Sequence, residues 1–552
     1  MINPPVAGDP FYPRDSKETV WDHRNIKRAA GARMTIKCLG DITRFHRAER
    51  PDKVAMIYTD DDREWTFREL DEEACRCANA LAGLGIGSQD RIAYLDKNTP
   101  EYFTCLFGAA KINAVSVAVN WRLAPPEIEY ILNHSESKVL LIGDAFLPCL
   151  NEMTLNLDQI VVLGDPGATG YPTYKQWILD QPTSDPQVAA SPEETCCQLY
   201  TSGTTGLPKG VETTHNNLLG LMGEGLNPIR FSSASVSLVC MPVFHIAGSG
   251  WGIFGFFTGA ETILLKEADA QEILRSIPKH RITHSVFVPA ILQFLLDQPN
   301  IDDIDFSSIQ SILYGASPIS EKVLVKAMEI FQADFFQVYG LTETTGGVTM
   351  LLHEDHDPGG PKAHLLRSCG QPIGEHEMKI VDTETEQQVG DGEIGEIWLR
   401  GPQIMRGYWR NDEATRESID QDGWFRSGDA GYVIDGYLFI HDRVKDMIIS
   451  GGENIYPAEI ENVLMKHPGV ADAAVIGVPD EQWGETVKAI ITRVNEQVRE
   501  EDIFSFCRKN LAHFKCPTSF AWMDEIPRNP TGKILKTELR KPYWKGKKRM
   551  VS

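Results

Sequence analysis

The densest run of chemistry-bearing residues is Tyr200-Thr201-Ser202-Gly203-Thr204-Thr205-Gly206-Leu207-Pro208-Lys209-Gly210. Glycines let backbone N–H groups approach phosphate oxygens, hydroxyls add donors, and Lys209 supplies a point charge. The run predicts a phosphate cradle. It departs from a Walker A loop: a proline precedes the lysine, no Ser or Thr follows it, and the G-x-x-x-x-G-K spacing is absent. A plain Ser/Gly/Thr surface loop is the alternative, disfavoured by so dense a string. Taken singly, acids such as Asp429 or Glu343 read as solvated turn residues or helix N-caps.

The elements that must hold the cradle can be read around it. Short β-branched runs at 53–58, 91–95, 138–143, 159–164, 236–240, 262–265 and 310–314 alternate with helix-like segments. That alternation predicts mostly parallel, helix-flanked sheets. Glycine or aspartate closes several runs, as in Ile142-Gly143-Asp144, so ligand-binding residues are expected after strands. The cradle follows an apolar-leaning run at 195–199 and precedes a helix-like stretch at 216–222. After about Gly370 the texture changes to short Gly-, Asp- and Trp-rich segments, including 393–400 and 436–441, which predict a small β-rich subdomain. From Asp442 a further compact stretch has its own strand and helix signals. The expected fold class is therefore α/β, with a large N-terminal domain over 1–441 and a small α+β C-terminal domain over 442–552.

The 552 residues are 42% apolar and 24% charged, the composition of a folded globular chain. A net charge of −23 opposes nonspecific binding to nucleic acid or an anionic membrane, so a polyanionic ligand needs a local basic site. The 11 cysteines are scattered and contain no C-x-x-C pair, which predicts buried thiols in a reducing compartment. Met1 to Ser16 has neither the basic flank nor the apolar run of a signal peptide, and a cytoplasmic location is expected. The apolar stretch 248–265 is broken by glycines, Thr258 and Glu261, which makes it a buried helix followed by a strand and not a membrane span. Near the C-terminus, Lys533, Lys536, Arg540, Lys541, Lys545, Lys547, Lys548 and Arg549 face only Glu538. They read as a solvated tail or as counter-charge for an anionic ligand.

Seven further motifs follow in order: Met241-Pro242-Val243-Phe244-His245, Gly315-Ala316-Ser317, Tyr339-Gly340-Leu341-Thr342-Glu343, Ser427-Gly428-Asp429, Asp442-Arg443-Val444-Lys445-Asp446, Ser450-Gly451-Gly452-Glu453-Asn454 and Asn529-Pro530-Thr531-Gly532-Lys533. With the cradle, over most of the chain, they resemble the adenylate-forming superfamily of acyl-CoA synthetases, coumarate-CoA ligase-like enzymes, beetle luciferases and peptide-synthetase adenylation domains. The resemblance implies activation of a carboxylic acid by ATP with Mg²⁺, followed by transfer to coenzyme A. It implies that Thr201, Ser202, Gly203, Thr204, Thr205, Gly206 and Lys209 cradle the β and γ phosphates. Thr342 would contact the α-phosphate and Glu343 would hold Mg²⁺. Gly315, Ala316, Ser317, Tyr339 and Gly340 would form the adenine pocket, and Asp429 would take the ribose hydroxyls with support from Arg443. Lys533 resembles the catalytic lysine, with Lys536 as its rival. Lys445 matches the hinge of a mobile C-terminal domain, and Gly452 would line the pantetheine tunnel.

Amino-acid-activating relatives hold the substrate ammonium with an Asp near the Phe-His stretch, and Phe244 to Trp251 contains no acid here. His245, Trp251, Gly315, Gly340, Gly346, Gly347 and Val348 resemble acyl-pocket positions. Their small residues point to a medium- to long-chain fatty acid or a bulky aryl or alicyclic acid. No carrier domain follows Lys533, which favours free CoA as acceptor. A luciferase-like oxygenase and a nonenzymatic nucleotide sensor remain as alternatives, and a homodimer is left open. The cluster His353-Glu354-Asp355-His356-Asp357 reads as a solvated loop rather than a metal site, and 352–367 carries no assignable motif.

Overall fold

Strands rich in Val, Ile, Leu and Ala and buried on both faces form the centre of the molecule. Arg91–Leu95, Val115–Ala118 and Ser311–Gly315 are buried at every position, as parallel strands covered by helices must be. The computed structural model describes residues 35–201, 207–222, 228–317, 319–443, 446–450, 453–480, 483–528 and 534–545.

Two large sheets carry the N-terminal part. The seven-stranded sheet runs, edge to edge, Gly407–Tyr408, Lys209–Thr214, Thr195–Thr201, Val115–Ala118, Arg91–Leu95, Ser137–Gly143 and Gln159–Leu163. Its last five strands are parallel, and Lys209–Thr214 returns antiparallel to Thr195–Thr201. The nine-stranded sheet has Asp334–Leu341 and Ser311–Gly315 in parallel near one edge and Val54–Tyr58 near the other. All the strands expected from β-branched runs are present, within about a residue of their expected bounds. The apolar stretch 248–265 is a helix, Ile246–Thr258, followed by a strand, Glu261–Leu264. Among the described residues no helix is long and apolar enough to cross a membrane.

The β-rich subdomain is a four-stranded antiparallel sheet of Glu377–Val381, Gly395–Arg400, Phe425–Ile434 and Tyr437–Arg443. Further along, Glu453–Ile455, Ile448–Ser450, Gly484–Arg493 and Val470–Asp480 make another sheet, which Ser519–Trp522 joins in parallel. The helix Pro457–Leu464 covers it over a separate core of Ile448, Ile460, Leu464, Val475 and Ile491. This is the small α+β unit expected at the C-terminus.

Two expectations about polar segments are corrected. The 353–357 cluster is not a solvated loop, because Asp355 and His356 are buried. Asp355 accepts from Lys362 Nζ at 2.6 Å and Tyr437 OH at 3.0 Å, and His356 Nε2 lies 2.9 Å from Tyr314 OH. Residues 352–367 therefore brace the nine-stranded sheet against the four-stranded one. The basic run near the C-terminus is not a free tail where it is described. Lys536 pairs with Glu461 at 2.9 Å, Arg540 with Asp446, and Trp544 Nε1–H donates to Gly477 O at 2.9 Å. Lys533, Lys547, Lys548 and Arg549 lie outside the described residues.

Beneath the seven-stranded sheet lies a buried charge network. Lys111, wholly enclosed, donates to Asp71 and Asp185, each at 2.7 Å. Arg47 also reaches Asp71 at 3.0 Å, and Arg44 reaches Asp185 at 2.8 Å. Burial works against both carboxylates, yet Lys111 and the arginines hold Asp71 and Asp185 below the usual carboxylate range. All eleven cysteines are free, and all but Cys149 are buried.

Buried histidines make the fold acid-sensitive. Burial lowers His46, His215, His284 and His356 to about 4. His215 shows why: its Nδ1 accepts from the Leu39 N–H at 3.0 Å, so a proton there would oppose another donor. The unfolded chain binds protons at these sites from about pH 6.5, and the native chain only near pH 4. Their stabilisation is complete above pH 6.5 and is lost on acidification toward 4, by about 3 kcal/mol per histidine at most. Thermal melting between pH 7.5 and 4.5 should show a steep fall in Tm beginning near pH 6.5. A flat profile down to pH 5 would contradict these environments.

Candidate active site

The strand Thr195–Thr201 delivers Thr201 to its C-terminal end, and Lys209 opens the return strand directly opposite, with Thr201 paired to Lys209 in register. The two residues thus face each other across the mouth of the cradle. Behind them, Tyr200 OH lies 2.8 Å from His134 Nδ1 and accepts from Gln198 Nε2 at 3.1 Å. Ser202, Gly203, Thr204, Thr205 and Gly206 lie outside the described residues.

Thr342 and Glu343 occupy the turn between the antiparallel strands Asp334–Leu341 and Gly346–Leu351. Thr344 fixes this turn by accepting from the Leu341 N–H at 2.8 Å and donating to Gly346 O at 2.8 Å. Glu343 Oε1 accepts from Thr201 Oγ1 at 3.3 Å, which joins two motifs far apart in the chain. Tyr408 OH donates to the same oxygen at 3.0 Å, while the Lys209 ammonium rests 4.8 Å from the centroid of the Tyr408 ring. No described residue donates to Glu343 Oε2. An anionic oxygen beside hydroxyls and an ammonium fits a divalent cation bound with phosphates.

Tyr408 was not legible as a site residue in the sequence. Its short strand, Gly407–Tyr408, pairs with Lys209–Thr214, and its neighbours complete the tie. Met405 N–H donates to Glu343 O at 2.8 Å, Arg406 N–H to Glu212 O at 3.0 Å, and Trp409 N–H to Gly210 O at 2.8 Å. One strap therefore holds both the cradle's return strand and the Glu343 turn.

Between the nine-stranded and four-stranded sheets, buried Tyr339 donates its hydroxyl to Asp429 Oδ2 at 2.9 Å. Burial, then Asp429, pushes the Tyr339 phenol far above its ordinary range, so it stays a donor. Asp429 N–H is held by Ser427 Oγ at 3.1 Å. Arg443 stands opposite Asp429 in strand register, although its side chain lies outside the described residues. Two residues before Tyr339 and on the same strand face, Gln337 donates to Cys369 Sγ, while its buried Oε1 has no partner among the described residues. Such an orphan acceptor costs about 1–3 kcal/mol unless a ligand satisfies it.

Close backbone approach constrains two of the glycines. A Cβ on Gly315 would lie 2.1 Å from Val338 O, and one on Gly340 would lie 1.8 Å from Gly346 O. Close strand contact accounts for their smallness, and neighbouring backbone fills the space beside them. Ala316 bends the chain out of the sheet at φ +66. Trp251 is core, with its Nε1–H donating to Leu238 O at 3.1 Å and its ring against Phe231.

His245 stands immediately before the helix Ile246–Thr258 in extended conformation, and its Nε2 is buried without a partner among the described residues. Burial, with a smaller contribution from Arg122, lowers its pKa to about 4, so the ring is neutral at pH 7. No hydrogen bond joins it to the other described candidates. Lys445, Gly452 and Lys533 lie outside the described residues. Lys536 is committed to Glu461 with its side chain only 10% exposed, which removes it as a rival to Lys533.

Helix-flanked parallel sheets, Thr201 and Lys209 paired at a strand end beside Glu343, and a separate small C-terminal unit are the architecture expected of an adenylate-forming enzyme. The chain belongs to the AMP-binding enzyme family, whose profile matches residues 44–409, with the AMP-binding enzyme C-terminal domain matching 459–533. It is an acid–thiol ligase of that family. It is 38% identical over 525 residues to a fatty acid–[acyl-carrier-protein] ligase of Streptomyces coeruleorubidus, covering 94% of this chain and 98% of the relative. It is 36% identical over 519 residues to a long-chain-fatty-acid–CoA ligase of Mycobacterium tuberculosis, covering 92% and 99%. Among solved structures, an anthranilate CoA ligase in complex with anthranoyl-AMP matches with a TM-score of 0.81 and 30% identity, covering 92% of this chain and 97% of that one.

Proposed function

We propose that the chain is an ATP-dependent carboxylate–CoA ligase that forms an acyl-adenylate and then an acyl-CoA thioester, releasing AMP and pyrophosphate. The observation that carries this reading is the Thr201–Glu343 hydrogen bond at 3.3 Å, which brings the cradle and the acid-bearing turn into one site. A carboxylate is already ionised at neutral pH, so its attack on the α-phosphorus needs alignment and charge relief, not a general base. The carboxylate oxygen bonds to the α-phosphorus as the bond to the β-phosphate oxygen breaks and pyrophosphate leaves. The CoA thiol then loses its proton to solvent, its sulfur attacks the acyl carbonyl and AMP leaves.

In this reading Thr201, Lys209 and the rest of the cradle hold the β and γ phosphates, and Thr342 meets the α-phosphate. Glu343 would hold Mg²⁺, which would supply charge neutralisation on the phosphate oxygens. Asp429, oriented by Tyr339, accepts from the ribose hydroxyls. Gln337 Oε1 accepts from the exocyclic amine of adenine, and Gly315, Ala316, Ser317 and Gly340 border the base. His245, neutral, meets the substrate carboxylate by hydrogen bonding without adding charge. Residues 1–441 act as the nucleotide- and acyl-binding domain and 442–552 as a mobile domain. That domain turns about Lys445 to present Lys533 for adenylation and the Gly452 loop for thioester formation.

The acid is a medium- to long-chain fatty acid or a bulky aryl or alicyclic acid. Similarity to a fatty acid–[acyl-carrier-protein] ligase supports a second reading, in which a carrier-protein phosphopantetheine thiol replaces free CoA. Eleven free cysteines suit a reducing compartment, and we place the enzyme in the cytoplasm. Pyrophosphate release with ATP, Mg²⁺ and a panel of fatty, aryl and alicyclic acids, with CoA or holo acyl carrier protein, tests both readings. Acyl-CoA and AMP from one acid class are expected, read by mass. Thioester on the carrier protein alone would replace the first reading by the second, and turnover on no acid would overturn both.

A further inference from the structure

Two opposite charges near each other in a nucleotide site present a physical problem. A carboxylate for a metal and an ammonium for phosphates attract one another, and a pair that collapses into a salt bridge closes the space both must serve. In this chain Glu343 and Lys209 are that pair, and Tyr408 engages both. Its hydroxyl donates to Glu343 Oε1 at 3.0 Å, and its ring carries the Lys209 ammonium at 4.8 Å from the centroid. The carboxylate and the ammonium are thus held by different parts of one side chain.

Tyr408 is itself rigidly placed. It is 8% exposed, packs against Val211, Met405, Ala414 and Phe425, and donates its backbone N–H to Thr415 Oγ1 at 2.9 Å. Its strand pairing with Val211 lies two residues from Lys209, so the ring cannot shift without moving the cradle's return strand. On the other side, the Met405 N–H ties the same strap to the backbone of Glu343 at 2.8 Å. Trp409 anchors the strap's far end, with its Nε1–H on His134 O at 3.0 Å and the Arg91 guanidinium 3.4 Å above its ring.

We propose that Tyr408 is a positioning residue that keeps Glu343 and Lys209 apart and preset, the hydroxyl orienting the metal-binding carboxylate and the ring seating the phosphate-binding ammonium. This rests on the ligase reading above, and it assigns a role to a residue that none of the sequence motifs contains. The two functions of the side chain are separable by substitution. Tyr408→Phe keeps the ring and removes the hydroxyl, whereas Tyr408→Leu removes both.

The test is equilibrium binding by calorimetry on the full chain: ATP titrated at a series of Mg²⁺ concentrations, and pyrophosphate titrated in EDTA. Tyr408→Phe should raise the Mg²⁺ concentration needed for half-maximal strengthening of ATP binding about tenfold, the loss of one hydrogen bond to a charged group. Its metal-free pyrophosphate affinity should equal that of the wild type. Tyr408→Leu should shift the Mg²⁺ dependence at least as far and also weaken metal-free pyrophosphate binding severalfold. Unchanged Mg²⁺ dependence in Tyr408→Phe overturns the proposal. So does equal loss of both affinities in Tyr408→Phe accompanied by a lower Tm, the mark of a merely structural side chain. If the wild type binds neither ATP nor pyrophosphate, the ligase reading fails and this proposal with it. Wild-type binding with no separation between the variants defeats this proposal alone.

Discussion

Replacement of Lys533 by alanine is expected to abolish acyl-adenylate formation from acid and ATP by roughly 10²- to 10³-fold, while supplied acyl-adenylate and CoA are still converted to thioester. A cation set against the developing charge of the carboxylate–phosphate transition state contributes on the scale of a lost oxyanion donor. In the reading proposed above, the second half-reaction uses a different face of the C-terminal unit and does not need that cation. Rescue by the nearest lysine is excluded by its partner, since Lys536 is ion-paired to Glu461 at 2.9 Å and nearly enclosed. The two half-reactions should therefore separate cleanly, followed by pyrophosphate exchange for the first and thioester formation for the second. Equal loss of both would remove Lys533 from the adenylation step.

The largest stability effect is expected at Lys111. Its ammonium has no access to solvent and lies between Asp71 and Asp185 at 2.7 Å from each. Lys111→Met keeps much of the volume but leaves buried Asp71 and partly buried Asp185 with only Arg47 and Arg44 to balance them. Breaking a buried pair from one side costs about 3–5 kcal/mol, because the remaining charge is stranded. Asp71→Asn added to Lys111→Met should recover much of that loss by neutralising the better-buried acid. Chemical denaturation of the single and double variants measures both. A Lys111→Met protein as stable as the wild type would show that the arginines suffice.

The strands and the long apolar helix were readable because burial imposes its period locally. Val54–Tyr58 and Ser137–Gly143 declare themselves in a few residues of β-branched sequence. The run 200–210 stands out for a similar reason, since its glycines, hydroxyls and lysine are contiguous in sequence. What joins these parts does not. Tyr408 meets Glu343 across 65 positions of chain, and nothing within its own segment marks the contact. Asp355 and His356 sit in a polar, Gly/Pro-bounded stretch that reads as solvated loop. Their burial comes from Tyr437 and Tyr314, residues supplied by other sheets. The glycines at 315 and 340 carry a signal that sequence alone leaves ambiguous, since close strand approach and open pocket space both exclude side chains.

The central claim is that the carboxylic acid is activated by adenylation. The most direct measurement is a single-turnover reaction of excess enzyme with ATP, Mg²⁺ and the best acid of the panel, without thiol, acid-quenched and read by mass. Acyl-AMP and pyrophosphate in equal amounts, the acyl-AMP then chased to thioester by added CoA or holo carrier protein, are the predicted result. ADP and phosphate, with no acyl-AMP at any time, would contradict it.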